Sequence, residues 1–313
     1  MPYAQSVPLF DISALDHDDP PLAEVYGELR RWDPDGTRLA KVFRRTYDQL
    51  YDGQRTGRYR VDQLHKTEKT HFGTLIEINI QREFNIDDGE ILDFKIAGHE
   101  VDCKFSHTAA WMLPTEIFDK LALVTKANDE LSTWSVGLIR VTKENRRNSK
   151  NQDRKTELNA LGRSRIVWLH KDAAMQPNAL LRLPPAVADE IMSRPSGQAR
   201  VNELLCRVTN IRISRNIIAT VAQQNDYMKR VRDNGGARGA LRPDGYLILS
   251  GDYTVQQNIA SDLGAVVPGP GELVSLRVVP CAPNNGVEIS GSWWRIADFN
   301  EPALVAAPKL PKV

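Results

Sequence analysis

Between residues 21 and 51 apolar positions recur three and four apart, most clearly at Leu39, Val42, Phe43 and Tyr47, and this spacing predicts a helical segment. The stretch Asp52-Gly53-Gln54-Arg55-Thr56-Gly57-Arg58 reads as a loop by its glycines. A second helix is expected over residues 67–84, with Phe72, Leu75, Ile76 and Ile80 on one stripe. The period then falls to two. Residues 91–96 and 100–105 alternate around Ala97-Gly98-His99, the pattern of a β-hairpin. Further strands are expected at 121–125 and 133–141, and an apolar run follows at 166–169. The first twenty residues, rich in Pro and Asp, are expected to be irregular.

In the C-terminal half, helices are expected near 186–193, 199–208, 214–223 and 226–233. Gly235-Gly236-Ala237-Arg238, Pro243-Asp244-Gly245 and the apolar run Tyr246-Leu247-Ile248-Leu249 follow. Successive helices and then a glycine-led strand pair give the order of a winged helix-turn-helix. Residues 273–279 and 287–295, around Asn284-Asn285-Gly286, read as a further hairpin. This divides the chain into a domain over 1–168, a linker at 169–177 and a second domain over 178–313. No internal repeat is apparent.

The composition is that of an ordinary globular chain, 41% hydrophobic and 26% charged over 313 residues. Nothing approaches the roughly 18 consecutive apolar residues of a membrane-spanning helix, and Met1-Pro2-Tyr3-Ala4-Gln5 does not read as a signal peptide. Cys103, Cys206 and Cys281 stand far apart, which argues against a disulfide framework or a zinc site and suits a reducing cytoplasm. The net charge of +1 conceals two basic blocks. Residues 140–165 and 200–242 each hold nine Lys or Arg against three acids, which points to two surfaces that meet a polyanion.

The hairpin carries the candidate chemistry. If it turns through Ala97 and Gly98, Ile96 faces His99 and Asp93 falls opposite Asp102, on a shared face. Lys104, two residues beyond Asp102, lies on that face too. Two carboxylates so placed repel unless neutralised, and a hard cation such as Mg²⁺ does this while keeping waters for a phosphate. Such a metal activates water for phosphodiester hydrolysis, and Lys104 is positioned to orient that water or stabilise the transition state. Asp-x-Lys occurs three times, at Asp93, Asp102 and Asp153, but only Asp102 has an upstream acid on its own face. Glu77, one position from the apolar stripe of the helix over 67–84, is a further candidate for the group.

Several blocks carry a resemblance. Leu50-Tyr51-Asp52-Gly53-Gln54-Arg55-Thr56-Gly57-Arg58, His65-Lys66-Thr67-Glu68-Lys69-Thr70-His71, Val101-Asp102-Cys103-Lys104-Phe105-Ser106 and Gly197-Gln198-Ala199-Arg200-Val201-Asn202-Glu203-Leu204 resemble the NaeI family of type II restriction endonucleases. So do Ile218-Ala219-Thr220-Val221-Ala222-Gln223-Gln224 and Met228-Lys229-Arg230-Val231-Arg232, and the similarity runs from about Tyr26 to Pro268. The resemblance implies an α/β fold, with an N-terminal PD-(D/E)xK domain whose mixed sheet is flanked by helices. An α+β winged helix-turn-helix domain like that of the catabolite activator protein follows. It implies Glu77, Asp93, Asp102 and Lys104 as the catalytic set, the three acids holding Mg²⁺; Leu92 replaces the proline of the fold's name. It further implies a homodimer acting on a palindrome, GCCGGC, a second effector DNA that activates cleavage, and a cognate DNA methyltransferase.

Leu50-Tyr51-Asp52-Gly53 also resembles the Lys-x-Asp-Gly motif of DNA ligases, but Leu50 has no amine to form a covalent nucleotide adduct. Arg55, Arg58 and Arg60 nearby are candidates for phosphate contacts, as are Lys229, Arg230, Arg232 and Arg238 in the second domain. The rival reading is a catalytically inactive, sequence-specific DNA-binding regulator. The four clustered groups separate the two, because a pure binder gains nothing from acids that repel phosphate.

Overall fold

The computed structural model describes residues 19–148 and 154–310. Of the irregular start expected over the first twenty residues, 1–18 lie outside the described residues, as does Asp153 of the third Asp-x-Lys triplet. Two compact units emerge, the first taking residues up to 50 and 65–176, the second residues 51–64 and those from 177 onward.

In the first unit, the helical pattern expected from 21 to 51 is two helices, α1 (Pro20–Trp32) and α2 (Thr37–Tyr51). The break falls at Asp33-Pro34. Proline lacks an N–H and disfavours helical geometry in the residue before it. The buried Asp33 carboxylate then accepts from the Arg38 N–H at 3.1 Å and the Leu39 N–H at 2.8 Å, capping α2. The short α3 (Gly53–Thr56) belongs to the second unit. Next comes α4 (Lys66–Phe84), where the Glu68 carboxylate accepts from the His65 N–H at 2.9 Å. It ends on Asn85, left-handed at φ 52°, whose N–H donates to the Gln81 carbonyl.

Six strands in chain order form one sheet: β1 (Asp87–Asp88), β2 (Phe94–Ile96), β3 (His99–Phe105), β4 (Leu121–Asn128), β5 (Thr133–Arg140) and β6 (Val167–Ala174). All neighbours are antiparallel except β3 and β4. One face packs on the helices, with Phe72 of α4 against Phe105 (4.4 Å between ring centroids) and Phe43 of α2 against Trp134 (5.3 Å). On the other face Ala122, Val124 and Ile139 join Trp111, Leu113, Ile117, Leu158 and Ile166 in a separate core. Segments 109–118 and 158–166, the latter with α5 (Ala160–Ser164), supply its outer layer. Asp102 and Lys104 pair with Ala122 and Val124, so they belong to this second face.

The linker expected at 169–177 is for the most part β6. His170-Lys171-Asp172 breaks the apolar pattern because β6 is an edge strand with register shifts against β5, and edges carry charge and bulges. The units divide after residue 176.

The second unit holds α6 (Pro185–Ser193), α7 (Gly197–Arg207), β7 (Ile213–Ser214), α8 (Arg215–Ala222), α9 (Ala237–Leu241) and β8 (Tyr246–Ser250). Then follow α10 (Thr254–Asp262), β9 (Glu272–Pro280), β10 (Val287–Ile289) and β11 (Ser292–Ile296). The helix expected at 226–233 is a 3-10 turn, Tyr227–Val231. Leu273 pairs with Ile213 on one edge and Ser250 on the other, so β9 runs between β7 and β8. The last hairpin is β10 with β11, turning at Ser290 (φ 52°) and Gly291 (φ 82°), and β9 pairs with β11 rather than with β10. Tyr59 lies in the core of this unit with Val201, Leu204, Ile218 and Ile248, and its carbonyl accepts from Asn178 Nδ2 at 2.9 Å. That burial draws residues 51–64 away from the unit on either side of them in sequence.

Candidate active site

The hairpin register is the one that gathers the acids. Ile96 faces His99, Lys95 faces Glu100 and Phe94 faces Val101, with Ala97 (φ 51°) and Gly98 (φ 82°) making the two-residue turn. One step further on, the ladder opens. The Cys103 N–H donates at 2.7 Å to the Asp93 carboxylate rather than to a carbonyl. Here β2 and β3 part, and Asp93, Asp102 and Lys104 come together.

Lys104 Nζ lies 2.6 Å from Asp102 Oδ2 and 3.5 Å from Asp93 Oδ2, and donates to the Cys103 carbonyl at 3.1 Å. Asp102 is only 4% exposed, and burial, partly offset by Lys104, pushes its acid up to about 6. Burial alone would lower the Lys104 amine, but the Asp102 carboxylate and then Asp93 outweigh it, so its affinity for a proton rises. Glu77, from α4, is raised to about 7, by burial and then by the charge of Asp93. It is joined to the group by charge; no hydrogen bond or ion pair links it to the other three among the described residues. Nor do any three acids, histidines or cysteines among the described residues converge closely enough to enclose a metal ion unaided.

Two contributors escaped the sequence reading. Glu100 accepts from the N–H groups of Glu90, Ile91 and Leu92 at 2.7, 3.0 and 2.7 Å, folding the chain that delivers Asp93. No sequence signal distinguishes it from an ordinary surface acid. Glu116, in the crossover between β3 and β4, adds a charge that raises Asp102 further.

The nominated DNA contacts fare unequally. Arg55 pairs with Asp52 (3.2 Å), Arg60 with Asp62 (3.0 Å), Lys229 with Asp226 (2.9 Å), and Arg230 with Gln224 and Asp226. Arg58 Nε donates to the Tyr51 carbonyl at 3.4 Å, and Arg232 is exposed. Arg238 is turned inward, donating to the Ile248 carbonyl at 3.1 Å and to Gln256 at 3.4 Å, and burial lowers its affinity for a proton. As placed, it braces β8 against α10. Leu50 is a buried apolar side chain, 7% exposed.

A mixed sheet flanked by helices, with two acids and a lysine gathered where a hairpin opens, defines a nuclease unit of the restriction-endonuclease kind. Comparison over nearly the whole chain agrees with it. Residues 23–305 match the family described as Restriction endonuclease NaeI. The Type II restriction enzyme NaeI of Lentzea aerocolonigenes is 48% identical over 305 residues, covering 94% of this chain and 95% of that one. The chain belongs to the NaeI family; it is a restriction endonuclease, a site-specific deoxyribonuclease acting on DNA.

Proposed function

We propose that this chain is a type II enzyme that uses Mg²⁺ to cut both strands of a palindromic G/C-rich site, GCCGGC. In this reading the first unit cleaves, and the second binds an effector copy of DNA that activates the cut. The observation that carries the reading is the ammonium of Lys104 set between the carboxylates of Asp102 and Asp93.

The donor set fits a hard divalent ion. Mg²⁺ commonly takes one or two carboxylates and completes its shell with waters and substrate phosphate. Asp93 and Asp102 supply that pair, and Glu77 adds negative charge. Both Asp102 and Glu77 sit above the usual carboxylate range because they are buried near like charges, a strain that a cation relieves. When bound, the ion polarises the phosphate and lowers the pKa of a water. Lys104 is held protonated by its two acids, so it clamps the charge that develops on the phosphate rather than acting as a base. Cys103 offers its N–H to Asp93 and so keeps that carboxylate aimed at Lys104.

The second unit supports a winged-helix reading. α7, β7, α8 and α9 precede β8 and β9, and β9 lies between β7 and β8. Lys229, Arg230 and Arg232 sit on the turn before α9, where they meet phosphates of the effector. A homodimer suits a palindrome and a double-strand cut, and protection of host DNA requires a methyltransferase of the same specificity. No helix among the described residues is long and apolar enough to cross a membrane, and we place the enzyme in the cytoplasm with its DNA. The test is incubation with plasmid carrying GCCGGC and Mg²⁺, followed by mapping of fragment ends, with and without a short GCCGGC duplex as effector. Ends within that sequence and stimulation by the duplex are expected. Ends elsewhere refute the specificity, and an unstimulated rate refutes the effector.

A further inference from the structure

The first turns of α4 hold cations that the site does not use. Lys66 and Lys69 are exposed, and among the described residues neither meets a carboxylate at ion-pairing distance. Glu68, between them, accepts from the His65 N–H. The contrast with Arg55, Arg60, Lys229 and Arg230 is plain, since each of those has an acid beside it.

At 100° per residue, Lys66, Lys69, Gly73 and Glu77 fall within about 80° of one another around the helix axis. Lys69 and Lys66 stand about 12 and 17 Å from Glu77 along that axis. At 3.4 Å of duplex per phosphate on a strand, that is roughly three to five nucleotides. Gly73, between the lysines and Glu77, is the second observation. A glycine inside a helix is less stable there than alanine, and packing does not require this one. A Cβ at Gly73 would meet Phe105 Cβ at 3.7 Å, ordinary contact. The chain's own packing therefore does not account for the missing side chain, which leaves room on this side of the helix between Lys69 and Glu77.

We propose that Lys66, Lys69 and the half-buried, side-chain-free backbone at Gly73 form a track that seats the DNA strand leading to Glu77. The track holds phosphates on one side of the scissile one, and Gly73 lets the strand lie against the helix. The proposal rests on the reading of Asp93, Asp102 and Lys104 as the cleavage site.

The test uses the full chain and a short GCCGGC duplex, with binding measured in EDTA over a range of salt. Lys66→Ala with Lys69→Ala is expected to weaken binding on the order of tenfold near 0.1 M salt and to flatten the log–log salt slope by nearly two. Lys66→Arg with Lys69→Arg is expected to keep the slope. Gly73→Ala is expected to raise the melting temperature and yet weaken binding. In parallel, acetylation of Lys66 and Lys69 in the parent chain is expected to slow when the duplex is bound. An unchanged slope in the alanine pair, or equal acetylation with and without DNA, overturns the track. Because binding is read without metal, a Lys104→Ala chain that cuts like the parent in Mg²⁺ defeats the cleavage-site reading and leaves the lysine result standing.

Discussion

Replacing Asp102 by asparagine is expected to stabilise the metal-free protein while destroying its activity. The Asp102 acid is held at about 6 in the fold against an ordinary value of 3.8, mainly by burial. A separation of about two units corresponds to at most ~3 kcal/mol at 1.36 kcal/mol per unit. The sign follows from the direction of the shift. The folded state holds this proton more tightly than the unfolded chain, so the contribution is fully present below pH 3.8 and is lost as pH rises through 6. Asparagine copies the shape of the protonated acid and carries no charge. At pH 8 in EDTA, Asp102→Asn is therefore expected to exceed the parent by about 1–3 kcal/mol, a rise of several degrees in melting temperature. Near pH 4 the two proteins are expected to coincide. The assay is calorimetry at a series of pH values, with plasmid cleavage measured in parallel. A variant less stable than the parent at pH 8, or a gap that does not close in acid, would refute the claim that burial strains this carboxylate.

Two further substitutions probe the packing of the second unit and the positioning of Asp93 in the first. Gly53→Ala would put a Cβ 2.1 Å from Thr220 Oγ1, so a loss of about 1–3 kcal/mol is expected, with partial recovery in Gly53→Ala/Thr220→Ala; an unchanged melting temperature in the single variant would count against the close packing of α3 on α8. Glu100→Gln weakens the acceptor for three N–H groups and is expected to cost about 1 kcal/mol and slow cleavage through the displaced Asp93. Those donors hold the Glu100 acid below its ordinary value, so its stabilisation exists at neutral pH and fades in acid. A cleavage rate equal to the parent's would remove Glu100 from the positioning of Asp93.

The hairpin and α4 were legible because their signals are local. A two-residue turn with Gly98 sets the register up to Phe94 and Val101, which leaves Asp93 and Asp102 next in line; the Cys103 N–H then holds Asp93 beside Lys104. The stripe of Phe72, Leu75, Ile76 and Ile80 is the buried side of α4. What stayed hidden depends on partners distant in sequence. Residues 51–64 join the second unit through the burial of Tyr59, which nothing in their own pattern announces. β9 skips β10 to pair with β11, because Ser290-Gly291 forms the tighter turn while Asn284-Asn285-Gly286 had the stronger composition for one. Arg238 reads as a surface cation until the Ile248 carbonyl and Gln256 are seen to receive it. A basic count locates charge; it does not say which guanidinium is already spent within the fold.

The site itself is tested most directly by single-turnover cleavage with Lys104→Ala, under conditions where parent and variant bind the duplex equally. Lys104 lies 2.6 Å from Asp102 and 3.5 Å from Asp93, and its charge is the one that the two acids hold in place. The account expects the cutting step to slow by about 10²–10³, the usual loss when one preorganised electrostatic group is removed. Cutting within a few-fold of the parent would contradict it and move the chemistry elsewhere in the chain.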